Sequence, residues 1–370
     1  MYNKELTFFC VGDIIPGPEA EDFKYVTPIL SKGDVVCGQL EGPYTTRHPD
    51  THIIKRDPEN LKPLISAGFD VLTLAGNHIA DMSIFGIEDT IDWLRKNNIA
   101  YVGVGMNINE ARQPVVIERE GTRFGFLDYN CVGPKTTWAS QDKAGCAYVH
   151  VITHYELDYA TPGGPPNIYT WAETGTLNNM VEDIRKLRPL CDILVVSLHK
   201  GLLHTPIKLA SYEQQVSYAA IDAGADIVLG HHAHILKGIE VYKGKVIFHG
   251  LNNLVTFAPI LDPKRNTDPQ AWANRRRKIF GFEPDPEYPN YPFHPEAKNT
   301  IIGKCLIKDK KIVQTSYLPC FVNKQGQPEV LKRDARGEAV FEYMNKITQG
   351  AGLNAKYEWK DDDEVLIYAE

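Results

Sequence analysis

The stretch that most limits what this chain can fold into is Asp226-Ile-Val-Leu-Gly-His-His-Ala-His234. Its apolar run, residues 227–229, reads as a buried strand that stops at Gly230. Three histidines, His231, His232 and His234, crowd into the four positions that follow. In open α/β sheets, ligands bind in the crevice beyond the carboxyl ends of the strands. Neutral imidazole is the commonest metal ligand, so histidines placed there are positioned to converge on an ion. The competing reading is a His-rich surface loop or a packed core histidine.

Four other apolar runs end in a polar group of the same kind. Residues 6–12 lead to Asp13, 34–40 to Glu41, 69–75 to Asn77 and His78, and 191–198 to His199. If these strands share a sheet and point the same way, two carboxylates, an amide and several imidazoles meet along one edge. Such oxygen and nitrogen donors suit Mn, Fe, Zn or Co better than a thiolate-seeking ion. Between the strands, helical spacing covers residues 84–96, 178–187, 211–223 and 335–347, with a shorter helix at 63–67. Glu120-Gly121 and Lys243-Gly244 each join two short strands into a hairpin, and residues 301–307 and 312–317 form another. Residues 130–174 read as a long loop, of the kind that serves as a lid or binding surface. A Pro- and aromatic-rich insertion over the core follows near 259–299. Trp138, Trp171 and Trp272 lie in these irregular segments, as an aromatic lid or as packing over the core. The run Arg275-Arg-Arg-Lys278 reads as surface charge.

Composition excludes some classes. With 370 residues the chain can bury a sizeable core. A net charge of −7 argues against a nucleic-acid surface. Seven cysteines without a Cys-x-x-Cys pair point to reduced core thiols rather than a zinc knot. No stretch reaches the ~20 apolar residues of a membrane span, and no signal-peptide core precedes the first strand. Read as a whole protein, the chain is expected in the cytoplasm, with a small-molecule or peptide substrate.

The order of motifs resembles a known family. Gly12-Asp13, Leu40-Glu-Gly-Pro43, Gly76-Asn-His78 with Asp81, Glu110-Ala-Arg-Gln-Pro114, Ser197-Leu-His199, and Ala223-Gly-Ala-Asp226 running into Gly230-His-His-Ala-His234 occur in sequence. Over residues 5–257 they are similar to the CapA family of capsule and poly-gamma-glutamate synthesis proteins, within the calcineurin-like metallophosphatase superfamily. The resemblance implies an α/β fold, a four-layer α/β/β/α sandwich. Residues 1–325 would form that domain and 326–370 an extension packed on its core. It implies a divalent transition-metal cofactor (Mn, Zn or Fe) of one or two ions. Asp13 and His234 would hold the first ion, Asn77, His199 and His232 the second, and Glu41 would stand between them. His78, with Asp81, would be the catalytic acid. Arg47, Lys55, Arg56, Lys200 and Asn252 are the candidate substrate contacts. His204 and His249 are read as non-ligands, and His231 as lying behind the ligands at best.

The chain departs from the pattern at four places. Ile15 stands where the superfamily has a histidine, and Gln39 where the family has an asparagine. The acidic residue expected after the His199 strand is absent, with Leu203 near that place, and Asn252 replaces a glycine. The function implied is metal-dependent hydrolysis of a phosphoester, or of an amide in a glutamate-containing or cell-wall-related peptide. Two alternatives stay open: a metal-assisted, epimerase-like proton transfer on a peptide, and a non-catalytic role in polymer assembly.

Overall fold

The computed structural model describes residues 5–18, 20–47, 56–157, 164–262, 268–361 and 363–369. Alternation along its strands divides the apolar side chains among three main cores. From strand Leu6–Ile15, Leu6, Phe8 and Cys10 enter one core while Phe9 and Val11 enter the next. Val35 and Cys37 of strand Val35–Leu40 face one way and Val36 the other. A strand needs apolar residues on both faces only when both faces are covered. That is why these segments read as continuous apolar runs.

The two strands lie within a ten-stranded mixed sheet. Its spatial order is Lys356–Trp359, Val365–Tyr368, Lys311–Val322, Asn299–Lys308, Leu6–Ile15, Val35–Leu40, Val71–Thr73 and Ala100–Val102. The last four run parallel. Strand Asn253–Thr256 pairs parallel to Leu6–Ile15, with Asp13 opposite Asn253, and Pro328–Val330 pairs with Lys311–Val322. A second sheet of six strands runs Ile239–Tyr242, Lys245–Phe248, Ile227–His232, Ile193–Lys200, Thr122–Asn130 and Val115–Arg119. Its four central strands are parallel.

The sheets pack face to face. Phe8 of the first meets Phe124 and Phe126 of the second at ring-centroid distances of 6.3 and 6.2 Å. Ile193, Val195, Ile227 and Leu229 fill the rest of that core. On the outer face of the second sheet, Leu194, Val196 and Val228 pack on Met180 and Ile184 of helix Thr174–Leu187 and on Val216 and Ala220 of helix Ser211–Ala223. On the outer face of the first, Phe9, Val11 and Val36 pack with Ile87, Ile91 and Leu94 of helix Ser83–Lys96. The layers are therefore helix, sheet, sheet, helix, the α/β/β/α sandwich that the motif order implies. Each fully buried Leu, Ile or Phe contributes roughly 1.5–3 kcal/mol. Helix Ala335–Gly350 begins at Asp334, whose carboxylate accepts from the backbone N–H groups of Arg336 and Gly337. Val340, Met344 and Ile347 of this helix join the core between the sheets. All seven cysteines are buried and free. Among the described residues no helix is long and apolar enough to cross a membrane.

Two segments differ from expectation. The stretch 130–174 is not one long loop: Val151–Glu156 and Asn167–Ala172 form an antiparallel hairpin, and Gly145–Cys146 pairs with Val104–Gly105. The hairpin is exposed over most of its length, Tyr155 at 63% and Ile168 at 55%, so burial imposed no alternation to read. The insertion carries a helix, Pro269–Phe280, with no buried residue. A helix without a buried stripe leaves no 3.6-residue apolar period. Its end signals were nonetheless present: Asp268 caps it by accepting from the Ala271 N–H, Pro269 opens it, and Gly281 closes it with a left-handed φ of 74°.

Candidate metal centre

The carboxyl ends of the parallel strands in both sheets meet along one rim. Asp13 reaches it on the first strand, whose backbone runs very close to Asn252. The Asp13 N–H donates to the Asn252 carbonyl oxygen at 2.8 Å, and a Cβ on Gly12 would lie 2.2 Å from that same oxygen. Only glycine fits there. From the other sheet, the His232 backbone N–H donates to Asp13 Oδ2 at 3.0 Å, and His231 Nδ1 lies 3.2 Å from Asp13 Oδ1. Asp13 thus fastens the first sheet to the histidine loop of the second. Glu41 follows strand Val35–Leu40, its N–H bonded to the Ile14 carbonyl at 3.0 Å. His199 sits on strand Ile193–Lys200 in register with His231. His204, His232, His234 and Asn252 adopt left-handed φ values of 54°, 83°, 48° and 62°. Such backbone is uncommon outside glycine and concentrates at functional sites.

Two groups of donors form there. Asp13, Glu41 and His234 each offer an atom within 4.8 Å of the others, and so do Glu41, His199 and His232. Glu41 belongs to both. Asn77 joins the second group, its Oδ1 lying 2.7 Å from His199 Nε2 and 3.2 Å from His232 Nδ1. In the first group His234 Nε2 is 3.2 Å from Glu41 Oε1, while Asn253 Oδ1 holds Nδ1 at 2.7 Å. Asp13 and Glu41 are 0% and 1% exposed, and both Glu41 oxygens and Asp13 Oδ1 are buried without a hydrogen-bond partner. Their charges lie against histidines instead, His231 Nδ1 beside Asp13 and His234 Nε2 beside Glu41, each at 3.2 Å, and buried charges are paired or coordinate metals. Donors about 3 Å apart match ligands that share one ion through bonds of roughly 2.0–2.2 Å. The residues fit divalent transition ions, and Asn253 orients His234 as an outer partner of a ligating imidazole does.

Protonation follows the same crowding. Burial raises the Asp13 pKa, and the neighbouring Glu41 charge raises it further. Burial also pushes Glu41 up, but His234, His78 and His199 together hold it below the usual carboxylate range. Burial drives His199 well below its ordinary value and His232 down to about 3, in each case with a neighbouring imidazole adding to the effect. For His234 burial is outweighed by Glu41 and Asp13, and its pKa rises to about 9.

The model of the bacterial capsule synthesis protein PGA_cap matches residues 7–258. The chain belongs to that family. The CapA capsule biosynthesis protein of Bacillus anthracis is 27% identical over 68% of this chain and 60% of its own length. The PGA biosynthesis protein CapA of Bacillus subtilis (strain 168) is 31% identical over 66% of this chain and 62% of its own length. The chain therefore spans less than two thirds of each of these relatives. Among solved structures, a hypothetical protein from Thermus thermophilus is similar at a TM-score of 0.48 and 15% identity, over 85% of this chain and 98% of that one.

In this CapA-family chain the structure brings together Asp13, Glu41, Asn77, His199, His232 and His234, all named from the sequence. His78 stands at the rim, 41% exposed, with Nδ1 2.7 Å from Asp81 Oδ2. Burial lowers its pKa, but the Asp81 bond and the Glu41 charge outweigh that and raise it. Arg56 reaches the same rim, Nη1 lying 3.5 Å from the Glu41 carbonyl oxygen. The other expected substrate contacts are placed differently. Arg47 is paired with Glu88 and Asp89 on helix Ser83–Lys96. Lys200 is 0% exposed, its ammonium 3.0 Å from His249 Nδ1 and 3.8 Å from Glu213. Asn252 is buried, its amide donating to the carbonyls of Ala297 and Asn299 at 2.7 Å. Lys55 lies outside the described residues. Sequence reasoning missed Asn253 and the contact of His231 with Asp13. A cavity of about 640 Å³ opens beside His232, lined by Lys135, Trp138, His150, Leu202 and Phe280 among others, with no carboxylate in its wall among the described residues. A larger one of about 820 Å³, around Asp192, Asp226 and Lys310, includes none of the ligand residues.

Proposed function

We propose that the chain is a metal-dependent hydrolase acting on a phosphoester or on an amide bond of a glutamate-containing or cell-wall-related peptide. The observation that carries this reading is the sharing of Glu41 by two buried donor groups. Asp13, Glu41 and His234 would hold one ion, and Glu41, Asn77, His199 and His232 the other. Mn, Zn or Fe bound there would polarise a phosphoryl or carbonyl oxygen and acidify water. The chain's own residues do the rest. His78, whose pKa the Asp81 bond raises, would give a proton to the leaving group, and Arg56 offers positive charge to an anionic substrate at the rim. The cavity beside His232 takes the part of the substrate that does not react. The names of the two Bacillus relatives, for capsule and PGA biosynthesis, support a substrate drawn from that chemistry. We read residues 1–325 as the domain that carries it.

The test is elemental analysis of protein purified without added metal, beside Asp13→Ala, His232→Ala and Glu41→Gln. The reading expects about two transition-metal ions per chain, one lost in each of the first two variants and both in the third. One ion, lost in His232→Ala and kept in Asp13→Ala, would favour the epimerase-like reading. Ile15 supplies no donor to the first group, which gives that outcome a physical basis. No metal after reconstitution with Mn or Zn would end the site assignment.

A further inference from the structure

His204 is the side chain around the centre whose placement no role above explains. It sits on the loop after strand Ile193–Lys200, with its left-handed backbone tied to the ligand loop by an N–H bond to the Ala233 carbonyl at 2.8 Å. Its imidazole is clasped edge-on by two rings of the 259–299 insertion, Phe280 at 5.0 Å and Phe282 at 4.9 Å. A third, Phe293, lies 6.3 Å from it and packs on His234 at 4.9 Å. The His204 and His234 rings stand 6.2 Å apart at 30°. The insertion therefore holds His204 beside the first donor group.

His204 is 7% exposed, and its Nδ1 is buried without a hydrogen-bond partner. A buried polar atom left unpaired is costly enough that native structures rarely keep one without a reason. The first group is also the one short of a donor: Asp13, Glu41 and His234 lie within 4.8 Å of one another, and His204 stands outside that set. Ile15, on the strand beside them, has only an apolar side chain to offer. An ion held by three protein donors leaves a position to water or substrate.

Resting on the metal-centre reading, we propose that His204 is a ligand-contact residue. Its imidazole hydrogen-bonds the oxygen, from water or from a phosphoryl or carbonyl group, that fills the open side of the Asp13–Glu41–His234 group. The phenylalanine clasp fixes the ring so that this bond needs little further ordering. The insertion thereby serves as the fixed wall of the site.

The test uses the full chain loaded with Mn, inorganic phosphate as the probe, and His204→Phe and His204→Gln. His204→Phe keeps an aromatic ring in the clasp and removes both nitrogens, while His204→Gln restores a polar group. Calorimetry should find the ion number and affinity of wild type in both variants. Phosphate should bind about tenfold more weakly to His204→Phe, with partial recovery in His204→Gln. Equal phosphate affinity in wild type and His204→Phe overturns the proposal. So does loss of an ion from His204→Phe, which would make His204 a metal ligand, and so does a loaded wild type that ignores phosphate. Wild type that takes up no ion fails at the earlier step, and brings down the metal-centre reading itself.

Discussion

Asp128 is 1% exposed on strand Thr122–Asn130, with Oδ2 accepting from the Ala75 N–H at 2.6 Å and Oδ1 without a partner. Burial raises its pKa to about 8 against the backbone hydrogen bond from Ala75, which lowers it. The folded chain thus keeps a proton that the unfolded chain releases near 3.8. Between those values stability falls as pH rises: it is fully present below about 4 and lost through about 8. Asp128→Asn, which puts an amide where the protonated carboxyl stands, should match wild type at pH 4 and unfold at a higher temperature at pH 9. Melting curves at both pH values check this, and a difference that ignores pH would refute it. Single residues also mark what the sequence could and could not disclose. Asp13, Glu41 and His199 were legible because each ends an apolar run, but the single sheet expected of them is two, with Asp13 and Glu41 at the end of one and His199 on the other. Asn253 was not, since both it and Asn252 are buried and nothing local tells which of the two turns toward His234. Lys200 misled for a related reason: its buried partners, Glu213 and His249, lie 13 and 49 positions away, beyond the reach of local pattern.

At the scale of elements, the strands buried on both faces and the helices with an apolar stripe were readable, and Ser211–Ala223 matches its expected bounds. The hairpin Val151–Glu156 with Asn167–Ala172 and the helix Pro269–Phe280 were not, because solvent rather than a core surrounds them. Helix Ala335–Gly350 was visible as a helix, but its destination was not. Met344, fully buried in the core between the sheets, shows where it goes. Met344→Ala should cost about 2–5 kcal/mol, read as a lower midpoint in denaturant titration with an unchanged slope. A chain cut before residue 335 should fail to give a cooperative transition, since it exposes that core. A cooperative melt from the truncated chain would show the helix to be dispensable.

For the whole molecule, an ion that binds only the folded state stabilises it by mass action. Mn or Zn at a hundredfold its dissociation constant should add about 2.7 kcal/mol per site, seen as a melting temperature that climbs with metal concentration. Glu41→Gln should show no such climb, and an equal climb in that variant would argue for binding elsewhere. The fastening of Asp13 to the His232 backbone joins residues 219 positions apart, and Asp13 pairs with Asn253, further along still. Parallel pairings across such separations are slow to form, because loop closure comes before any reward. The centre therefore cannot be complete until the growing chain has passed His234 and its partner Asn253. A ribosome-bound nascent polypeptide that has emerged only through residue 200 carries Asp13, Glu41, Asn77 and His199 but neither His232 nor His234, so both donor groups are incomplete, and on the metal-centre reading the ion is taken up late in synthesis or after it.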